Sequence, residues 1–301
     1  MMDQMVASEN AMSVAQSGIE RGLQMVRFLE RELGDLQSKA VLDAGCGLGG
    51  ISIALAGRCD YVISMDSDIP RRLLVCNKRF QERGIKNALV LSGNCLHVPF
   101  KPKSFDLILL NGVLEWLGES DLTRPPRDVQ REVLQTMSEL LKPGGVLYLA
   151  IENRYYPANL LIDPHAKLPI VNFLPRGLAD KVSRVLTGRP YRTYIYSFRE
   201  LNRLLDESSL PVRKFYAPLT NYMFPYDILP IEDGKRMIRA LKKFPSGPIS
   251  PEYIGEVKGR TGYVKFAYFY LIAKLRCLRL LSHSFVVLCA RSRGGAATRS
   301  Q

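Results

Sequence analysis

In Asp43-Ala-Gly45-Cys46-Gly47-Leu-Gly49, a carboxylate precedes three glycines at alternate positions. An apolar run, Ala40 to Leu42, leads in, and a helical pattern, Ile51 to Ala56, leads out. This order of residues reads as a buried strand, a tight turn and a helix start. Glycines in such a turn adopt φ > 0 and let a ligand approach the main chain closely. The spacing is GxGxG, not the GxGxxG of the dinucleotide fingerprint. A second acid, Asp66, with Ser67 beside it, closes another apolar run, Tyr61 to Met65. It stands at the ~20-residue offset expected of a carboxylate that accepts from ribose hydroxyls. Together these residues point to a cofactor carrying a nucleoside. The bland alternative is a glycine turn and a solvated aspartate.

The elements that must position these groups alternate along the chain. Strands are predicted at 39–44, 61–65, 88–92, 105–111 and 145–151, and helices at 48–57, 70–83 and 128–142. Alternation of this kind gives an α/β fold, a parallel sheet with helices on both faces and ligands at the carboxyl ends of its strands. Asp43, Asp66, Asn94 and Asn111 all fall at such ends. Before the first strand, Ile19, Leu23, Val26, Leu29 and Leu33 keep a helical spacing that stops at Gly34. Gln16 and Arg21 of that helix face either the cofactor or solvent. Residues 1–15 read as a lid or a frayed end.

The glycine run resembles motif I of the class I S-adenosylmethionine (SAM) dependent methyltransferases. Asp66 matches that family's ribose acid, and Gly93-Asn94-Cys95 its adenine-contacting turn. Phe105-Asp-Leu-Ile-Leu-Leu-Asn-Gly-Val-Leu-Glu-Trp116 is similar to its fourth-strand motif, and Leu141-Lys-Pro-Gly-Gly-Val-Leu-Tyr-Leu149 to its turn into the fifth strand. The family usually has Asp where this chain has Asn94, whose amide oxygen can still accept from adenine N6. The resemblance covers about residues 38 to 152. It implies SAM as cofactor, held by Asp43, Gly45, Cys46, Gly47, Gly49, Asp66, Ser67, Asn94, Cys95 and Asn111. It also implies a Rossmann-like, mostly parallel seven-stranded sheet whose last, antiparallel strand inserts between the fifth and sixth.

The domain layout follows. Residues 1–152 form the SAM-binding core. Residues 153–282 form a substrate-recognition region, with cap-forming insertions 153–196 and 219–282 around a helix and strand at 197–218. Within it, Ser197 and Glu200 carry a capping-box signal. Residues 283–293, around Ser284-Phe-Val-Val-Leu-Cys-Ala290, close the core, and 294–301 read as a disordered tail.

Net charge is +13, and it is unevenly spread. Residues 1–150 carry 17 Lys+Arg against 18 Asp+Glu, and residues 151–301 carry 25 against 11. A positive second half points to an anionic partner, or to solubility alone. Six cysteines (46, 59, 76, 95, 277 and 289) form no CxxC pair, which suits reduced thiols in the cytoplasm. With three histidines and no cysteine cluster, no metal site is expected. The amino terminus lacks an apolar signal core. Residues 263–281 are apolar but contain Lys265, Lys274, Arg276 and Arg279, so they read as an amphipathic helix. It either packs on the cap, the favoured reading, or makes a peripheral membrane contact.

Methyl transfer requires the acceptor to be positioned, water excluded and, for a hydroxyl, a proton removed. The Asn/Asp-Pro-Pro-aromatic motif of adenine amino-methylating enzymes is absent, because Asn111-Gly-Val-Leu114 stands in its place. No cysteine there supports a covalent cytosine mechanism. Glu115 has no acidic neighbour in sequence, which argues against arginine methylation; it faces the site or caps its helix.

Glu152-Asn-Arg-Tyr-Tyr-Pro157, Asp163-Pro-His165, Leu168-Pro and Phe173-Leu-Pro175 resemble a subgroup found with surface-polysaccharide and glycolipid biosynthesis. The implied activity is O-methylation of a glycan or a lipid- or phosphate-linked sugar. His165 is the candidate base, with Glu152 and Asp163 as further catalytic candidates. Arg154 and Arg192 would hold an anionic group, and Tyr155 and Tyr156 would stack on a sugar. RNA methylation ranks lower, since no RNA-binding module is recognisable. A non-catalytic SAM-binding platform is the third reading.

Overall fold

The computed structural model describes residues 9–67, 70–243 and 260–290. Its strands are β1 (Ala40–Ala44), β2 (Tyr61–Asp66), β3 (Ala88–Ser92), β4 (Phe105–Asn111), β5 (Leu141–Glu152), β6 (Val212–Pro218), β7 (Ile228–Pro230) and β8 (Ser284–Ala290). They form one sheet in the order β3-β2-β1-β4-β5-β8-β6-β7. The first five are mutually parallel. β8 lies antiparallel between β5 and β6, as expected of the last strand.

The sheet has eight strands where seven were expected. The extra one, β7, pairs only with Tyr216–Pro218 of β6. Three residues are too few to show an alternation, and Pro230 suits the edge position, where no ladder donor is needed.

The helices are α1 (Glu9–Leu33), α2 (Gly50–Ala56), α3 (Pro70–Glu82), α4 (Pro126–Leu140), α5 (Pro157–Leu161), α6 (Arg176–Thr187), α7 (Phe198–Glu207), α8 (Gly234–Lys243), α9 (Arg260–Lys274) and α10 (Leu278–Leu281). Strands β1, β4 and β5 read as nearly continuous apolar runs because both faces of the sheet are covered. On one face, Met25, Phe28 and Leu29 of α1 pack with Ile51 and Leu55 of α2. On the other, α4, α7, α8 and α9 pack through Val133, Leu204, Met237 and Phe269. The capping box of α7 is present, with Ser197 Oγ accepting from Glu200 N and Glu200 Oε2 accepting from Ser197 N.

Several boundaries differ from expectation. Residues 9–15 belong to α1 rather than to a lid or frayed end. The first insertion contains α5 and α6, and the second contains α8. The 263–281 stretch is two helices, α9 and α10, separated near Arg276, whose φ is +58°. Phe269, Ile272, Ala273 and Leu278 are buried in the main core, so this stretch packs rather than floats. Residues 291–293 of the expected closing strand, the tail 294–301 and the proline-rich 244–259 lie outside the described residues.

Candidate functional site

The glycine turn is tied to β2 by two donors, Gly45 N and Cys46 N, which both reach Met65 O (2.7 and 3.1 Å). Gly47 N donates to Asp66 Oδ2 at 2.8 Å, so the two halves of the sequence signal are joined by a hydrogen bond. Gly45 has φ +85°, and a Cβ there would lie 2.3 Å from Val113 Cγ2. Gly47, at φ +54°, would meet nothing within 4 Å, which leaves its backbone open to a ligand. Asp43 is 1% exposed and accepts from Ser52 Oγ at 2.6 Å. Burial pushes its carboxyl up to about 6, against the opposing pull of Ser52 and Arg21.

Helix α1 comes close to this turn because Gly18 and Gly22 face Gly50 and Ala54, with nothing larger than a methyl group between the two backbones. That approach brings Arg21 beside Asp43, where its Nε is buried without a partner. At the end of β4, Asn111 Oδ1 is likewise buried and unpartnered. A lone donor and a lone acceptor match the carboxylate and ammonium of an amino-acid moiety. Asn94 Oδ1 accepts from Leu96 N (2.9 Å) and shapes the turn after β3, with Cys95 buried beneath it and Ser67 exposed after β2. These residues fit SAM, whose methionine end Arg21 and Asn111 would hold and whose ribose Asp66 would hold.

A second cluster lies against this turn. Val113 packs on Gly45, and Tyr222 lies where a Cβ on Gly112 would fall, 2.7 Å from its hydroxyl. Glu115 is the second residue of the 3-10 turn Leu114–Glu119 after β4, and Glu152 ends β5. Tyr222 OH donates to Glu152 Oε1 (2.9 Å) and lies 3.3 Å from Glu115 Oε1. His165 Nε2 stands 3.2 Å from Glu152 Oε2 and 4.0 Å from Glu115 Oε1. The 3.2 Å approach is off the line of a hydrogen bond, leaving His165 Nε2 and Glu152 Oε2 unpartnered, together with Glu115 Oε2. The His165 side chain is 9% exposed, and its ring meets Trp116 edge-on at 4.8 Å.

Burial, then the neighbouring Glu152 charge, pushes Glu115 well up. Burial opposes ionisation of Glu152, but the facing His165, a backbone donor and the Tyr222 hydroxyl together hold Glu152 below the usual glutamate range. Two carboxyls this close cannot both ionise cheaply, so the pair carries one charge, on Glu152.

The structure places the expected site residues as follows. His165 and Glu152 converge with Glu115, which faces the cluster rather than capping its helix. Arginine methylation was disfavoured because Glu115 lacked an acidic neighbour; folding supplies Glu152, 37 positions away in the sequence. Asp163 is not free for catalysis. It is fully buried, and its oxygens accept from His165 N, Ala166 N, Asn172 Nδ2 and Tyr191 OH. It holds the loop that presents His165.

Arg154 and Arg192 do not reach out to an anion. Arg154 donates to Asn172 O and Leu174 O and pairs with Glu200. Arg192 donates to Gly118 O, Asp121 O and Arg124 O. Both guanidiniums hold the cap together. Tyr155 lies under the Arg154 guanidinium, and Tyr156 packs on His283 and Tyr268, so neither ring is a free stacking surface. No metal site was expected from the sequence, yet the fold brings three potential ligands together. Glu115, Glu152 and His165 offer ligand atoms within 4.8 Å of one another and could hold a divalent cation. Tyr222 and Trp116 were missed. The chain's one tryptophan, next to Glu115, was the available signal for the second.

Residues 42–149 match the family described as a methyltransferase domain. The chain is a methyltransferase, and SAM is its cofactor. Among curated relatives, the ubiquinone biosynthesis O-methyltransferase of Azoarcus sp. (strain BH72) is 27% identical over 182 residues, 60% of this chain and 73% of that protein. Methyltransferase GfsG of Streptomyces halstedii is 29% identical over 132 residues, 44% of each chain. Among solved structures, the chain in complex with the Trm112 methyltransferase activator of Haloferax volcanii superposes with a TM-score of 0.53. The match covers 95% of this methyltransferase and 97% of that chain at 15% identity, and it supports the fold. The [4+2]-cyclase SpnF shares the fold as well, with a TM-score of 0.50, 12% identity and coverage of 90% and 81%. The fold alone therefore does not choose the chemistry.

Proposed function

We propose that this methyltransferase methylates a hydroxyl on a glycan or a lipid- or phosphate-linked sugar, with His165 as general base. The observation that carries this reading is the unpartnered His165 Nε2, buried against an ionised Glu152 at the same end of the sheet as the glycine turn. SAM supplies an electrophilic methyl group on a sulfonium. His165 Nε2 accepts the hydroxyl proton as the acceptor oxygen becomes nucleophilic, and Glu152 stabilises the resulting imidazolium. Base catalysis of this kind contributes roughly 10²–10⁴ in rate.

Asp163 fixes the height of the loop, and the Trp116 edge fixes the ring plane. Trp116 remains 48% exposed, which gives the acceptor an aromatic surface at the mouth of the site. The similarity to a ubiquinone biosynthesis O-methyltransferase supports O-methylation, and the sequence resemblance from Glu152 to Pro175 supports a sugar. The surplus of Lys and Arg in residues 151–301 supports an anionic acceptor.

A second reading rests on the Glu115–Glu152 pair, which would also suit a cationic amine acceptor. Methyl-labelled SAM, incubated with the protein and total cell extract, separates these readings. Label in the lipid-glycan fraction is expected. Label confined to protein or RNA contradicts the proposal.

A further inference from the structure

The cap buries Leu168, Val171 and Tyr191 but leaves a second set of large apolar side chains exposed. At ~100° per residue, Leu178 and Val185 lie within about 20° of each other on α6, and Leu186 is exposed in its last turn. Val185 is 83% accessible, while Ala179 and Ser183 of the same helix are buried. The strap leading into α6 adds Leu161, Ile162, Ile170 and Phe173, all exposed. Leu161, Ile162 and Ile170 are neighbours in space, since Ile162 bridges Pro169 and Ile170 N donates to Leu161 O. Ile170 has φ +53°, a left-handed conformation that β-branched residues rarely adopt, and its side chain still faces water.

Charge on this segment is one-sided. Between residues 161 and 189 the exposed cations are Lys167, Lys181, Arg184 and Arg189, with Arg176 turned inward onto Ile195 O and Tyr194, against two acids. Asp163 is buried and Asp180 is paired with Arg184. Aliphatic side chains flanked by long cations match a lipid interface, where the stems lie among the chains and the charges reach the headgroups. Two copies meeting patch to patch would instead bring like charges together. Among the described residues, no helix is long and apolar enough to cross a membrane, so contact through this face would be superficial.

We propose that the strap 161–173 and α6 form a docking surface for an anionic lipid bilayer. His165 lies within that strap, between Ile162 and Ile170, so docking sets the base loop against the headgroup layer. The consequence, an acceptor borne by lipid, rests on the proposed methyl-transfer reading; the docking does not.

Sedimentation of the full chain with phosphatidylcholine vesicles, with and without phosphatidylglycerol, tests it. Binding to the anionic vesicles is expected, weakened roughly tenfold or more in V185E/L186E. In K181E/R184E it should weaken by roughly fivefold or more for each charge reversed. Both pairs are exposed, so circular dichroism and SAM affinity should match the unaltered chain, and neither readout depends on turnover. No binding to anionic vesicles overturns the proposal, as does binding that V185E/L186E leaves unchanged. A concentration-dependent dimer abolished by V185E/L186E, without vesicle binding, would assign the face to a second copy instead.

Discussion

Asp43→Asn should make the protein more stable and the cofactor site worse. Asp43 is 1% exposed, and its carboxyl is pushed from its ordinary 3.8 to about 6, chiefly by burial. A shift of about two pH units corresponds to roughly 3 kcal/mol, at about 1.4 kcal/mol each. Because the folded value is raised, the native state holds a proton that the unfolded chain has lost between pH ~4 and ~6. Stability from this group is therefore present below that window, falls as pH rises through it and stays low above it. Asparagine cannot ionise, yet its side-chain oxygen can still accept from Ser52. The variant-minus-parent difference in unfolding free energy should grow by about 3 kcal/mol from the acid side of the window to pH 7. Urea unfolding of both proteins across that range measures it, and calorimetry at pH 7 should show weaker SAM binding in the variant. A difference that does not change with pH would refute the reasoning. So would undiminished SAM affinity, since the buried charge would then serve nothing at the site.

Two further substitutions separate ligand contacts from scaffold. Asp66→Ala removes the carboxylate that accepts from Gly47 N and is positioned for the ribose, so SAM affinity should fall about tenfold to a hundredfold. Unchanged affinity by calorimetry would remove the ribose assignment. Arg154→Ala should cost about 1–3 kcal/mol, because two carbonyls lose a buried donor while Glu200 stays partly solvated and held by Ser197. SAM affinity of the folded fraction should hold. A normal urea midpoint with a raised acceptor KM would return Arg154 to substrate binding.

What was legible in the sequence was what is local or periodic. Strands β1, β2, β4 and β8 are apolar runs, because a sheet covered on both faces demands them. The glycine turn announces itself because its φ values select the residue type. β7 escaped notice at three residues, and α6 escaped because its large apolar residues face outward, so its period marks no core. The Glu115, Glu152, His165 and Tyr222 cluster draws one residue each from four separate turns and strand ends, so no local spacing foretells it. Arg154 and Arg192 failed for the same reason. A sequence shows that a guanidinium exists, but its carbonyl partners are set only when the cap folds.

The central claim is that His165 removes the acceptor proton, and a single-turnover comparison tests it most directly. The methyl-transfer rate of His165→Ala is measured beside its SAM affinity, each with and without a chelator. The account predicts a rate lowered by ~10²–10⁴, SAM affinity close to that of the parent protein, and no effect of the chelator on either protein. Equal turnover in the variant would contradict it. So would a parent rate abolished by the chelator and restored by a divalent cation, because Glu115, Glu152 and His165 would then be ligands and the base would lie elsewhere.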